Sequence, residues 1–321
     1  MSRVDNENYR QDFSPQEELP PISPEVKFWF PIPEPVIGSL KGYVRETLQE
    51  ISGYSKPELD GIVIGLSGGV DSTTTAALCE EALSETRYFV KGIIMGRAPE
   101  EQQGGMNAIE YQDVMFAIQS ARDMGIDYEY VDISPLVDAI YQVFPNSQPW
   151  ELSGVLPRLR ASLLYQAADN NNAICAGTTN GTEFILASFS VGGPAGHFQP
   201  FVDFYKSEVY KIAERLGVPN YIIERQPAVS ELGIYDEQLY GASCYVLDPI
   251  LRRMNWQKKS PEKVAKELGH DVEWLRQIKE LRIEGEKGRK YPPAFVAGRG
   301  YKIKVKPDVK FDRDRYFNNL F

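Results

Sequence analysis

Gly65-Leu66-Ser67-Gly68-Gly69-Val70-Asp71-Ser72 is the stretch that decides the fold. It follows Asp60-Gly61-Ile62-Val63-Ile64, a short apolar and β-branched run, and leads into a helix pattern from Thr73 to Leu83. A strand, a glycine-rich turn and a helix in that order set backbone N–H groups at a helix N-terminus. There the amides and the helix dipole hold phosphate. Ser67 and Ser72 add hydroxyl donors, and Gly68 and Gly69 let a phosphate approach the backbone closely. Asp71 is the odd residue in an anion site, and a carboxylate belongs there if it holds a Mg²⁺ that neutralises the phosphates. The turn has neither the Gly-Lys-Ser/Thr of a Walker A loop nor a G-x-G-x-x-G fingerprint.

Outward from this turn the pattern alternates. A helix pattern precedes it from Val36 to Ile51, with Leu40, Val44 and Leu48 spaced by four. Further strands are expected at Tyr88 to Met95, Tyr128 to Val131 and Asn172 to Gly177. Between the second and third lies a helix capped by Asn107 and running to about Met124. A helix from Ser207 to Leu216 stops at Gly217, with Pro219 beyond. This spacing predicts an α/β fold, a doubly wound parallel sheet with helices on both faces, whose ligands lie at the carboxyl ends of the strands. After Tyr240 the chain turns helical: Ser243 to Met254, a helix opened by Ser260-Pro261, and another after Asp271.

The ends read differently. Residues 1–36 carry Pro20-Pro21, Pro24, Pro31, Pro33 and Pro35 around Phe28-Trp29-Phe30, which suggests an extended arm docking its aromatic triplet on a surface. Residues 37–295 form a single domain, and 296–321 a tail in which Tyr301 to Lys306 alternates like an edge strand guarded by lysines. Hydrophobic residues make up 42% of the chain and charged ones 25%, ordinary for a soluble domain. No long apolar run and no N-terminal apolar segment are present, so no membrane span and no signal peptide are expected. Cys79, Cys175 and Cys244 form no C-x-x-C pair, which fits reduced thiols in a cytoplasmic protein and argues against zinc. Cys175, in an apolar run, reads as a buried small hydrophobe. A net charge of −10 disfavours a nucleic-acid partner. Basic residues do concentrate at Arg252-Arg253 and from Lys287 to Lys306, which reads as a solvated surface with a positive corner, the alternative being that some of them meet phosphates of a small ligand.

Two more elements carry chemistry. The fourth strand runs into Ala176-Gly177-Thr178-Thr179-Asn180-Gly181-Thr182-Glu183, whose tip a parallel sheet sets close to Ser67. Glu183 opens the next helix and is placed to face the same Mg²⁺ as Asp71. In Asp203-Phe204-Tyr205-Lys206-Ser207-Glu208-Val209, Lys206 stands just before a helix, within reach of a reacting phosphate or carboxylate.

Ser-Gly-Gly-Val-Asp-Ser resembles the signature of the N-type ATP pyrophosphatases, which cleave ATP between its α- and β-phosphates. Taken together, Leu66 to Ser72, Ala176 to Glu183, Pro200 to Val218 and Arg289-Lys290-Tyr291-Pro292-Pro293 resemble the ammonia-dependent NAD synthetases, over roughly residues 36–295. The resemblance implies a two-step reaction with ATP and Mg²⁺. The carboxylate of nicotinic acid adenine dinucleotide attacks the α-phosphate, pyrophosphate leaves, and ammonia then displaces AMP to give the carboxamide. It implies that Leu66, Ser67, Gly68, Gly69, Asp71 and Ser72 hold the pyrophosphate, that Asp71 and Glu183 hold Mg²⁺, and that Asp71 and Lys206 are catalytic. It places Met95 against adenine, Arg158 on nucleotide and Thr178 near the ATP ribose or phosphate. A homodimer is implied, as is ammonia taken free or from a separate protein, since no glutaminase is visible. Gly96 to Gly105 would form a lid that excludes water from the adenylate.

Three stretches depart from the family pattern: Gly154 to Arg158, Val191 to His197, and the short Pro227 to Glu237 segment. They fall where the dinucleotide acid would bind. A related ATP-dependent amide synthetase acting on another carboxylate is therefore the alternative, with a tRNA sulfur transferase third.

Overall fold

The structure, a computed structural model, describes residues 32, 34–55, 57–97, 108–145, 149–186, 188, 193, 196–229 and 234–280. The aromatic triplet at 28–30, most of the expected lid, the cap at Asn107, the Arg289–Pro293 segment and the tail strand lie outside the described residues.

The chain enters the fold through α1 (Glu34–Tyr54), which buries Leu40, Val44 and Leu48. It starts two residues before Val36, because Pro35 in a first turn gives up an N–H that no carbonyl of the helix would accept. β1 (Gly61–Gly65) is buried along nearly its whole length, as a strand covered on both faces must be. α2 (Val70–Leu83) is buried along almost its whole first two turns, although Thr73, Thr74 and Thr75 are polar. Their hydroxyls bond back to the carbonyls of Gly69, Val70 and Asp71 at 3.0, 2.6 and 2.8 Å, which makes the helix apolar from outside.

β2 (Phe89–Gly96), α3 (Ala108–Asp123) and β3 (Asp127–Asp132) follow the expected alternation. Two helices that the sequence pattern did not announce come next, α4 (Ser134–Val143) and α5 (Pro149–Asn170). α5 continues through Pro157, and the two prolines in this stretch read as breaks rather than as a 22-residue helix. β4 (Ala173–Ala176) completes a four-stranded parallel sheet of order β3-β2-β1-β4.

Ile62, Ile64, Ile94 and Ile174 face one layer of helices, α1, α2 and α3. Val63, Ile93 and Cys175 face α5 on the other side through Leu164 and Ala168. Helices on both faces of a parallel sheet are the expected architecture. Burial pushes the Cys175 thiol up to about 12, so it packs as a hydrophobe.

The remaining elements are α6 (Gly181–Leu186), α7 (Lys206–Arg215), α8 (Asn220–Ile223), a two-stranded hairpin of β5 (Ala228–Val229) and β6 (Ile234–Tyr235), α9 (Asp236–Tyr240), α10 (Cys244–Asn255) and α11 (Pro261–Leu268). Residues 272–280 are again helical. α7 begins at Lys206, one residue earlier than expected, and ends at Gly217 with φ +69°. α11 has the expected Ser260 cap and closes on Gly269 in the left-handed region. Leu247, Ile250, Leu251, Val264, Leu275 and Ile278 build a second core beside the sheet. No helix among the described residues is long and apolar enough to cross a membrane.

Candidate active site

β1 connects to β2 on one side, while β4 pairs on its other side, so the chain reverses its winding between β1 and β4. At such a point two strand-end turns diverge and leave a crevice at the carboxyl edge. Here the crevice is a cleft of about 260 Å³ walled by the turn after β1, the turn after β4 and the start of α7.

The first turn is built by its own short-range bonds. The Ser67 N–H donates to Ser72 Oγ at 3.1 Å, Ser72 Oγ donates to the Gly69 carbonyl at 3.1 Å, and the Gly69 N–H donates to Ser67 Oγ at 3.3 Å. Gly68 has φ +77°, and a Cβ there would lie 2.1 Å from the Asp113 carbonyl of α3. Only glycine fits. Gly69 caps α2 without a side chain, which leaves the helix N-terminus open to an anion. From outside the turn, Arg225 donates to the Gly68 carbonyl at 3.1 Å, pairs with Asp113 and lies over the Phe116 ring at 5.0 Å.

The second turn combines one local cap with bonds from far away. Asn180 Oδ1 accepts from the Glu183 N–H at 3.0 Å and so caps α6. Its Nδ2 donates to Asp71 Oδ1 at 3.1 Å, which joins the two turns. Lys206 Nζ pairs with Asp71 Oδ2 and stands 3.9 Å from Glu183 Oε1. Burial alone would depress the Lys206 ammonium, but Asp71 and Glu183 outweigh it and hold its pKa well above the usual lysine value. The Glu183 carboxyl, open to the cleft on one side, is pushed up to about 8 by burial and by Asp71, against the pull of Lys206. Asp236 is raised by burial in the same wall.

Of the residues expected at the site, Ser67, Gly69, Asp71, Ser72, Thr178, Glu183 and Lys206 line this one cleft. Gly68 lies beneath the turn. Leu66 packs its side chain into the core against Gly92, where an added Cβ would come within 2.3 Å, and so brings only backbone to the turn. Met95 packs with the α4 and α5 clusters on the opposite face of the sheet. Arg158 is an exposed residue of α5, and neither it nor Met95 lines the cleft. Asn180, Tyr210, Arg225 and Asp236 reach the site without having been singled out. Asn180 lies in the Ala176 to Glu183 motif, Tyr210 in the Pro200 to Val218 stretch and Asp236 in the Pro227 to Glu237 segment, while Arg225 carries no local pattern.

The NAD synthase family model matches residues 39–292, a span that takes in both turns, α7 and the whole sheet. The chain belongs to the NAD synthase family. It is 35% identical over 241 residues to the NH(3)-dependent NAD(+) synthetase of Pyrococcus horikoshii, covering 74% of this chain and 89% of that one. To the NH(3)-dependent NAD(+) synthetase of Thermococcus kodakarensis it is 33% identical, covering 77% and 96%. Among solved structures, the NH3-dependent NAD synthetase of Campylobacter jejuni, in complex with the nitrate ion, superposes with a TM-score of 0.59 at 25% identity, covering 80% and 97%. NMN synthetase from Francisella tularensis shares the fold, with a TM-score of 0.60 at 23% identity and coverage of 82% and 99%. For an NAD synthase family member, the paired turns at the winding reversal are the place to seek ATP.

Proposed function

We propose that this chain makes NAD by ATP-dependent amidation of nicotinic acid adenine dinucleotide with ammonia. The observation that carries the reading is the convergence of the Ser67 to Ser72 turn, Asp71, Glu183 and Lys206 in one cleft of an NAD synthase family member. In the first step a carboxylate oxygen of the dinucleotide acid forms a bond to the α-phosphorus, and the bond from that phosphorus to the bridging oxygen breaks. Pyrophosphate leaves with the bonding electrons. In the second step the ammonia nitrogen bonds to the acyl carbon, AMP departs with the former carboxylate oxygen, and nitrogen loses a proton. A carboxylate is a poor acyl donor until AMP makes its oxygen a good leaving group, which is why ATP is consumed.

The turn from Ser67 to Ser72, with the open N-terminus of α2 behind it, holds the departing pyrophosphate. Lys206, kept protonated by its two carboxylates, places a fixed positive charge beside the phosphates. Asp71 and Glu183 are both placed on one ammonium and offer only oxygen donors. No group of three or more His, Cys, Asp or Glu among the described residues is placed to hold a metal. That donor set fits Mg²⁺, which keeps several waters and takes its other ligands from phosphate oxygens. Mg²⁺ held by Asp71 and Glu183 would supply charge neutralisation at the phosphates. Thr178 contacts the ATP ribose or phosphate, and Arg158 and Met95 serve the nucleotide from the α5 side. The family resemblance supports a homodimer that takes ammonia free or from a separate protein. Free thiols at Cys79, Cys175 and Cys244 support a cytoplasmic setting.

The test is pyrophosphate release from Mg·ATP and ammonium, with and without the dinucleotide acid, with products identified by mass spectrometry. NAD, AMP and pyrophosphate form together in the wild type and are abolished in Asp71→Ala. ATP binding without NAD formation overturns the reading.

A further inference from the structure

Asp248 is a buried carboxylate that no step above uses. It belongs to α10, lies outside the cleft lining and is 3% exposed among the apolar residues of the second core. A carboxylate in such a place is costly unless its oxygens are bonded. Both are. Oδ1 accepts from Thr182 Oγ1 at 2.6 Å, and Oδ2 accepts from the Ser207 N–H at 2.8 Å. Thr182 Oγ1 in turn accepts from the Lys206 N–H at 2.9 Å. Thr182 is the residue before Glu183, and Ser207 is the residue after Lys206.

These bonds satisfy the first amides of α7 from outside that helix. Lys206 donates to α6 and Ser207 to α10, while the Tyr205 N–H goes to Glu208 Oε2 at 2.7 Å. α6 has only six residues and cannot hold its own orientation. It is pressed onto the segment before α7, where the Gly181 N–H meets the Phe204 carbonyl at 2.6 Å and a Cβ at Gly181 would fall 2.8 Å from that oxygen. That contact fixes where α6 starts, and the Thr182–Asp248 bond fixes how it is turned. The anchor is α10, which packs Leu247, Ile250, Leu251 and Met254 into the second core.

We infer that Asp248, acting through the Thr182 hydroxyl, is a positioning residue that sets Glu183 and Lys206 against each other for phosphate chemistry. The inference rests on the proposed function, and its test separates the two. Three variants suffice: Thr182→Val, which is isosteric but lacks the hydroxyl, Thr182→Ser, which keeps it, and Asp248→Asn. For each, kcat and KM for NAD formation, the calorimetric Kd for pyrophosphate with Mg²⁺, and Tm are measured. In Thr182→Val and Asp248→Asn, kcat falls at least thirtyfold and Kd rises at least tenfold, while KM for the dinucleotide acid stays within threefold. Thr182→Ser stays within threefold of wild type in every readout. A folded Thr182→Val that matches Thr182→Ser in kcat and Kd overturns the inference, and this pair decides it if Asp248→Asn does not fold. A wild type that makes no NAD refutes the proposed function, and the pyrophosphate Kd of the Thr182 pair still decides the positioning role.

Discussion

The two turns that wall the cleft do similar work and are held in opposite ways. The turn after β1 closes largely through bonds between residues two to five apart in sequence, with Arg225 reaching its Gly68 carbonyl from outside. The turn after β4 has one local cap, between Asn180 and Glu183, and is otherwise held by partners 24, 66 and 109 residues away: Lys206, Asp248 and Asp71. A self-closed turn is a fixed anion cradle wherever the strand and helix are present. A turn held from a distance exists only when α6, α7 and α10 are docked. The difference predicts that single changes in the second turn cost more than comparable changes in the first.

The largest effect belongs to Lys206→Met. Its side chain is 9% exposed and its ammonium partners two carboxylates, so its loss leaves Asp71 and Glu183 facing each other with no counter-charge. Removing one member of a buried pair costs about 3 kcal/mol. Loss of a charge aimed at the transferring phosphate lowers kcat by on the order of 10³. Urea unfolding and steady-state kinetics read the two separately. A stability change near zero breaks the view that this ammonium holds the two turns together.

Gly68→Ala is the strongest change available in the first turn. The residue would need a positive φ, at about 1–2 kcal/mol, and its Cβ would meet the Asp113 carbonyl at 2.1 Å. The turn must shift, and a displaced cradle costs kcat about 10². Because α3 supplies the obstructing carbonyl, the loss shows in KM for ATP as well as in kcat.

The third prediction concerns pH. Burial pushes Asp248 up to about 6, against its bonds to Ser207 and Thr182, and its unfolded value is 3.8. A folded-state pKa above the unfolded one gives stability that is complete below the unfolded pKa. That contribution is lost as pH rises through the folded pKa. The ligand-free protein therefore loses stability from this group between about pH 4 and 6. Glu183 continues the decline, from its unfolded 4.5 up to about 8. Calorimetric Tm against pH measures the slope. Asp248→Asn flattens its acidic part only, and an unchanged slope there contradicts a buried, ionisable Asp248.

What could be read in the sequence follows the same division. β1, the Ser67 turn and α2 form one continuous local pattern, and Asp71, Glu183 and Lys206 stand out as charged residues at strand and helix ends. The parallel sheet and the two helical layers follow from alternation alone, while the strand order does not. Asp248 carries no such mark: it sits in Leu247-Asp248-Pro249-Ile250, where a buried and an exposed aspartate look the same. Arg225 gains its meaning from Gly68, 157 residues away. α5 was hidden because Pro157 is a break in a local reading and is tolerated in the folded helix.

The smallest effect sharpens the comparison most. Ser67→Ala removes the acceptor of the 3.3 Å bond from the Gly69 N–H and the 3.0 Å contact with the Ser72 hydroxyl. Ser72 keeps both its other bonds, accepting from the residue 67 N–H at 3.1 Å and donating to the Gly69 carbonyl at 3.1 Å. The Ser67 side chain is exposed, so water replaces the lost acceptor. The stability cost is therefore about 0.5 kcal/mol or less. One hydroxyl fewer on pyrophosphate lowers kcat by about tenfold. Thr182→Val, also the loss of one hydroxyl, should cost more in both, because its hydroxyl sits between a buried carboxylate and a helix-start amide that no water reaches. Equal losses from the two substitutions, read side by side in urea unfolding and kcat, break the distinction between a turn that holds itself and a turn held by the rest of the fold.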